Sequence, residues 1–444
     1  MIDLPKSILS CIQKLESAGF QAYAVGGCVR DSFLGITPQD YDLCTNAKPE
    51  DICRVFSDRR LVHSGEKHGT IGVVLENGVC EITTFRTEST YTDSRHPDSV
   101  TFVSTVEEDL RRRDFTVNAM AYSPATGYID PWMGRQDLQH QHLRAVGDPY
   151  IRFREDALRI LRGVRFSIRF QLTPETKTEQ AMWELSPLMD KLARERVFDE
   201  LCKLLPLANA ADLLRFAPIF IQVIPELAPT LGFAQNSPHH RFDVFTHTAH
   251  VVEAVPKNPA LRWAALLHDI GKPATYTEDE AGHGHFYDHA KVSAEMANTI
   301  LLRLKAPNAL REQVVFLIAH HMTQLEPDRK LLLRRLGKYG ENNLRLLLAL
   351  QKADFCSKGV VQTGGACFSE TEALLTAILQ QAHCFSAKDL AINGNDILSL
   401  GVAPGPLVGT CMRVLLTQVQ EEDLPNTKDT LLEAARSFLQ SRQS

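Results

Sequence analysis

The stretch "YAVGGCVRDSFLGITPQDYDL", Tyr23 to Leu43, places a glycine pair (Gly26, Gly27), an arginine (Arg30) and two aspartates one residue apart (Asp40, Asp42) in a short span. "QAYAV" predicts a strand. Gly26 and Gly27, followed by a helical "CVRDSFLG", predict backbone N–H groups left free at a helix start, where a triphosphate can sit. Arg30, one turn in, adds a fixed positive charge. A glycine pair also serves ordinary tight turns, so the weight falls on the two aspartates. In "QDYDLCT", Asp40 and Asp42 occupy alternate positions and are expected on one face of a strand, with Tyr41 on the other. Two adjacent carboxylates repel unless a cation lies between them. Mg²⁺, a hard ion that accompanies nucleotide phosphates, is the expected occupant. Such a pair can orient an attacking hydroxyl and stabilise a transferring phosphoryl group.

Working outward, the 444 residues are long for one core, since single cores stop growing beyond roughly 250–300 residues. Two to four domains are expected. Hydrophobic residues at 44% and charged residues at 23% are ordinary globular values, which argues against pervasive disorder. The first twenty residues lack a signal peptide's basic start and apolar core, and no later run reaches spanning length. A cytoplasmic protein without membrane contact is therefore expected. Ten cysteines without a CxxC indicate neither a zinc ribbon nor a disulfide framework. The net charge of −6 requires any contact with RNA to come from local basic patches.

Up to about Pro131, short β-rich runs ("TIGVVLENG", "VCEITTFR", "SVTFVS") alternate with helical segments. From about Arg152 the apolar residues recur at helical spacing, and that half reads as all-α. The expected class is α+β: a mixed-sheet head with an all-α neck, body and tail.

The order glycine pair, arginine, D-x-D resembles the head of the nucleotidyltransferase superfamily that includes DNA polymerase β. It is most similar to the form in tRNA nucleotidyltransferases (CCA-adding enzymes) and bacterial poly(A) polymerases. No P-loop and no G-x-G-x-x-G turn supports a rival nucleotide fold. A third carboxylate is common in that superfamily, and Glu81 in "VCEITTFR" is a candidate. "RRRDFTVNA", from Arg111, matches the family's R-R-D-[FL]-T-[IV]-N-A signature. By resemblance Arg113 contacts the nucleotide, Asp114 supports the turn and Asn118 orders the site. "RTESTYTDSRHPDSVTFV" resembles the family's flexible loop, which is thought to help the switch from C to A addition. Its full length from Tyr91 to Val103 argues against a CC-only enzyme.

In "REDALRILRGVRFSIRF", Asp156, Arg159, Arg162 and Arg165 recur every third residue and are expected to form a drifting stripe on one helix. Such a stripe is often only a polar face. Here Glu155, Asp156 and Arg159 coincide with the family's E-D-x-x-R nucleotide-recognition motif. Cytosine and adenine both present an exocyclic amine beside a ring-nitrogen acceptor, whereas guanine and uracil present an acceptor beside an N–H. An aspartate accepting from the amine and an arginine donating to the ring nitrogen therefore suit C and A. Arg162 and Arg165 would be available for phosphates or for holding Asp156.

Between Phe245 and Asp354, "FTHTAH", "LLHDIGK", "YDHAKVS", "IAHHM" and "KADF" resemble an HD phosphohydrolase domain. Its histidines and aspartates converge on one or two divalent metals. His247, His268, Asp269 and Asp354 are the ligands expected on that resemblance. His289, His320 and His321 are further candidates, and His285 could replace a neighbour. Imidazole and carboxylate ligands suit Mn, Fe or Ni, a second divalent transition metal beside Mg²⁺.

The resemblance reaches the tail, "INGNDILSLGVAPGPLVGT", which is similar to the family's tRNA-contacting segment. It implies a nucleotidyltransferase head over 1–135 and a helical nucleotide- and RNA-binding neck over 136–232. An HD domain over 233–360 and a tail over 361–444 complete the chain. The implied reaction is addition of CCA to tRNA from CTP and ATP, with pyrophosphate released. Rivals are a poly(A) polymerase, a partial CC- or A-adding enzyme, an HD phosphohydrolase with a binding head, and a non-catalytic RNA adaptor. The sequence leaves the oligomeric state open.

Overall fold

Of the expected strands of the N-terminal part, all but "SVTFVS" join one seven-stranded sheet. Its order is Leu61–Val62, Thr70–Leu75, Gly78–Thr84, Asp42–Thr45, Ala22–Val25, Ala121–Ser123, Gly127–Ile129. All neighbours are antiparallel except Asp42–Thr45 with Gly78–Thr84, which run parallel with Asp42 opposite Glu81. Side chains at paired positions point to the same face, so this register brings the two acids together. One hydrophobic cluster gathers Tyr23, Val25, Cys44, Phe85 and Leu110. The helix Lys6–Ser17 buries Ile8, Cys11, Ile12 and Leu15, whose spacing gives it one apolar face.

This computed structural model describes residues 2–76, 78–88, 100–360, 365–380, 386–421 and 423–441. The chain divides into two units, residues 1–208 with 212–225, and residues 209–211 with 226–444. Among the described residues no helix is long and apolar enough to cross a membrane. Most of the stretch expected as the flexible loop, residues 89–99, lies outside the described residues; its flanks Arg86–Glu88 and Val100–Phe102 pair as antiparallel strands.

Beyond the sheet the first unit is mainly helical, but Thr173–Pro174, within the stretch expected as all-α, pairs as a short parallel strand with His142–Leu143. Asp148 caps the helix Pro149–Glu155 by accepting from the Tyr150 N–H, with Pro149 at its first turn. The next helix, Leu158–Phe170, is buried along most of its length. Phe115 packs against Phe153 and Phe166, with ring centroids 6.3 and 5.8 Å apart. Burying such a ring stabilises the fold by roughly 1.5–3 kcal/mol. Gly163 permits that approach, because a Cβ there would stand 3.0 Å from the Phe115 ring.

In the second unit, Asp243 and Asn258 cap the helices Val244–Ala254 and Pro259–Leu267. The latter is buried from Ala260 through Leu267, so it forms the unit's central rod and delivers His268 and Asp269 at its C-terminal end. The helices His289–Arg303, Asn308–His320 and Glu341–Cys356 bring the remaining histidines and Asp354. The all-α expectation needs one correction here. "TYTEDEAGHGHFY" forms a hairpin, Tyr276–Glu278 with Gly284–Phe286, because Gly282 at φ +83° and Asp279, accepting from the Ala281 and His283 N–H groups, close a turn. Toward the C-terminus the helices Gly394–Leu398, Pro406–Gln420 and Lys428–Gln440 pack around Ile397, Cys411, Leu415 and Leu431.

Candidate active site

In the first unit a cavity of about 480 Å³ joins the sheet's acid to the arginine helix. Gly27, Arg30, Asp42, Arg113, Asp114 and Asn118 line it from one side. Asp156, Arg159, Arg162 and Arg165 line it from the other. Residues separated by more than a hundred positions thus share one space.

The glycine pair is used differently from expectation. Gly26 sits at φ +77°, and its N–H donates to the Met120 carbonyl rather than standing free. The positive φ favours glycine there, and a side chain would also lie 2.6 Å from an Arg113 guanidinium nitrogen and push it aside. Arg30 is buried, pairs with Asp31 at 2.6 Å, donates to the Asn118 side chain and lies 4.2 Å from the Phe170 ring centre.

Asp42 opens the strand and is exposed toward the cavity. The cavity walls raise its pKa by desolvation; Arg113 opposes this, and the charges of Glu81 and Asp40 push it further up. Glu81, the candidate third acid, stands opposite Asp42 on the parallel strand. Glu81 and Asp40 add negative charge beside Asp42, and carboxylate oxygens so placed suit a hard cation such as Mg²⁺. Asp40 departs from expectation because it precedes the strand. The partner strand ends at Val25, opposite Asp42, so no ladder continues to Asp40, which borders a separate depression with Tyr41 and Val79.

Asp114 is buried and accepts from the Phe115 N–H, Asn118 Nδ2 and Arg162 Nε at 2.8–3.1 Å. Burial opposes its ionisation, but the Arg162 charge and these bonds outweigh it and hold its pKa at about 2. Arg162 is thus committed to Asp114, and Arg165 to the buried Glu200. Neither holds Asp156, contrary to expectation. Nor is Asp156 on the arginine helix: its extended backbone, φ −147°, breaks the chain between the two helices, and its carboxylate accepts from the Leu158 N–H at 3.0 Å. The partner that sequence reasoning missed is Arg196, 2.8 Å from Asp156 and one turn before Glu200 on the helix Arg194–Leu204. The i, i+4 spacing of Arg196 and Glu200 in "RERVFDEL" is the signal that could have found it. Arg159 pairs with Glu155 at 2.7 Å and donates to the Arg152 and Arg112 carbonyls.

The second unit brings together His247, His268 and Asp354, and beside them Asp269, His289 and His321, each group with ligand atoms within 4.8 Å of one another. In all four histidines Nδ1 faces a backbone carbonyl, of Ser357, Ala265, Phe286 and Ile318, at 2.7–3.3 Å. This fixes the tautomer and turns each Nε2 inward. His247 Nε2 lies 3.0 Å from Asp354 and 3.5 Å from Asp269, and His268 Nε2 lies 3.2 Å from Asp269. His247 Nε2, His268 Nε2 and Asp269 Oδ2 are buried without a well-formed hydrogen bond. Inward lone pairs around buried carboxylates suit a divalent transition metal. Burial drives the His321 pKa down to about 4, whereas Asp269 and Asp354 raise that of His268 against its burial.

His289 and His321 thus join the expected set, and two weaker candidates do not. His320 packs between Phe316 and Tyr339, since consecutive helical residues point about 100° apart and only one of the pair can face the cluster. His285 is on the hairpin, 3.0 Å from Asp279.

Comparison with known proteins shows the family of the chain. Residues 22–144 match the Poly A polymerase head domain family. The CCA-adding enzyme of Levilactobacillus brevis is 34% identical over 431 residues, covering 95% of each chain. That of Latilactobacillus sakei is 34% identical, covering 96% of this chain and 97% of its own. The Bacillus stearothermophilus CCA-adding enzyme in complex with CTP superposes with TM-score 0.72 at 28% identity, covering 98% of this chain and 97% of that one. Likeness of this extent, on top of a cavity that unites the sheet acid with the E-D-x-x-R pair, places the chain in the CCA-adding enzyme family.

Proposed function

We propose that this chain adds C, C and A to the 3′ end of tRNA, the 3′-hydroxyl attacking the α-phosphate of CTP and then of ATP with release of pyrophosphate. The observation that carries the reading is the single cavity in which Asp42 and Arg113 face Asp156 and Arg159. Bound to Asp42, Asp40 and Glu81, Mg²⁺ would supply charge stabilisation at the reacting phosphate. Arg30 and Arg113 bind the triphosphate from the sheet side. Gly26 and Gly27 let the backbone approach it, and Asn118 holds Arg30 in place. Asp156 accepts from the exocyclic amine of C or A, and Arg159 donates to the ring nitrogen. Arg162 and Arg165 fix the helix through Asp114 and Glu200. In this reading residues 1–135 are the catalytic head and 136–232 the nucleotide- and RNA-binding neck. Residues 233–360 form an HD domain and 361–444 a tRNA-contacting tail, and the protein works in the cytoplasm. Labelled CTP and ATP, offered with Mg²⁺ to tRNA transcripts ending before CCA, after C and after CC, test it. Growth that stops at CCA is expected; long A tails would mean a poly(A) polymerase instead.

The inward-facing histidines favour a second reading for the other unit. His247, His268, Asp269, His289, His321 and Asp354 would hold one or two divalent transition metals. Such a metal supplies Lewis-acid polarisation for hydrolysis of a phosphate ester.

A further inference from the structure

Tyr287 and Met322 are the two most exposed large apolar side chains among the described residues, at 71% and 64%. Both border the same cavity, about 490 Å³, whose floor is Asp269, His289, His321 and Asp354. Exposed apolar groups scattered singly need no explanation, but two gathered at the mouth of one polar cavity do. The Tyr287 ring lies nearly parallel to His285, 9° between planes and 5.5 Å between centroids, which makes a flat double platform. Lys272 and Lys358 line the same cavity, and Lys272 Nζ is 2.7 Å from Asp269. A ligand matched to these features has a flat ring at one end and a phosphate at the other.

We propose that Tyr287 and Met322, with His285 behind Tyr287, grip the base of a nucleotide or RNA 3′ end whose phosphate lies at Lys272 and the histidine–aspartate cluster. The inference rests on the phosphate-ester reading of that cluster and adds the residues that select a base. A ring face stacks on any base, so the platform distinguishes nucleotides from base-free phosphates without choosing among the four bases. Lys272 meets the phosphate as a point charge, and its bond to Gln235 Oε1 at 2.8 Å keeps it in the cavity.

The test is calorimetric titration of the full chain in EDTA, where turnover cannot occur, with adenosine 3′-monophosphate and with base-free ribose 5-phosphate. Asp156→Ala/Arg159→Ala is the background, so that the first cavity no longer reads a base. The nucleotide is expected to bind about tenfold tighter than the sugar phosphate. That margin should vanish in Tyr287→Ala/Met322→Ala and survive in Tyr287→Phe, with unchanged melting temperatures showing that the variants fold. Equal affinity for the two ligands, or a margin that survives Tyr287→Ala/Met322→Ala, overturns the platform. Equilibrium dialysis of the same proteins against Mn²⁺ reads the metal centre separately. Absence of uptake would sink the phosphohydrolase reading while the titration still decides the platform.

Discussion

The two cavities are nearly the same size, about 480 and 490 Å³, yet they are built on opposite principles. In the first, permanent arginine charges are paired in advance: Arg162 with Asp114, Arg165 with Glu200, Arg159 with Glu155, Arg196 with Asp156. In the second, imidazoles whose Nδ1 atoms face backbone carbonyls turn Nε2 toward buried carboxylates. A guanidinium fork suits recognition of a base and a triphosphate, which come and go. Clustered Nε2 lone pairs suit a resident cation. The difference teaches that paired charge in a cavity reads a ligand, whereas unsatisfied lone pairs hold one.

If the two cavities are independent, removing an acid from each gives unlike results. Asp42→Ala is expected to lower CTP and ATP incorporation by about 10³-fold or more, since it removes a metal ligand at the reacting phosphate. Asp269→Asn should leave incorporation within about twofold, being confined to the other unit's cluster. Steady-state assays on both variants measure this, and equal losses would break the comparison. Next in size, Asp156→Ala/Arg159→Ala is expected to lower the preference for CTP over UTP by about 10²-fold, because a site that reads by hydrogen bonds discriminates through groups left unpaired.

Metal removal sharpens the contrast from the other side. After EDTA and gel filtration, adding back Mn²⁺ should return tightly held metal to the native chain and to Asp42→Ala. Asp269→Asn and His289→Ala should retain little, as read by elemental analysis. Retention by Asp269→Asn equal to the native level would mean that the metal is held elsewhere than at this cluster.

How far each cavity was legible in the sequence reflects the same division. The first was legible because its parts are local: Gly26-Gly27 to Asp42, Arg113 to Asn118 and Asp156 to Arg159 each fall within a short run. Misread were the points where backbone geometry overrides spacing. Asp40 falls off the strand because the neighbouring strand ends at Val25, and Asp156 falls off the helix because its carboxylate caps the Leu158 N–H. Glu81 was visible only as a candidate, since sequence spacing says nothing of a parallel register. The second cavity draws on residues spread from His247 to Asp354, so which histidine of the pair His320 and His321 faces inward depended on helix rotation set by tertiary packing. Arg196 went unread because its i, i+4 spacing to Glu200 marks a helix face without naming what that face meets, and Asp156 lies forty positions away.

Acid titration probes the pairing in the first cavity. The Asp114 pKa lies at about 2 in the folded chain against 3.8 for an ordinary aspartate, so the folded state binds this proton less readily than the unfolded chain. Stability from this group is fully present above about pH 4 and is lost as pH falls through about 2. The shift corresponds to about 2 kcal/mol. Urea midpoints across that range should fall more steeply for the native chain than for Asp114→Asn, which is less stable at neutral pH and flatter in acid.

The smallest effect is expected at Arg196, and its sign carries the most information. Arg196 donates to both carboxylate oxygens of Asp156, at 2.8 and 3.4 Å, and the Leu158 N–H adds a third bond. Each carboxylate oxygen has two lone pairs, so these bonds leave room for a base's exocyclic amine. Arg196 then orients Asp156 and does not compete with the nucleotide. The pair is only partly exposed, 21% at Arg196 and 12% at Asp156, and such a bond contributes on the order of 1 kcal/mol, or about fivefold. Arg196→Ala should therefore raise KM for CTP and ATP about fivefold and loosen rejection of UTP, with Arg196→Lys recovering part of both. A lower KM would mean instead that the ion pair masks Asp156 and that the nucleotide must displace Arg196 to be read.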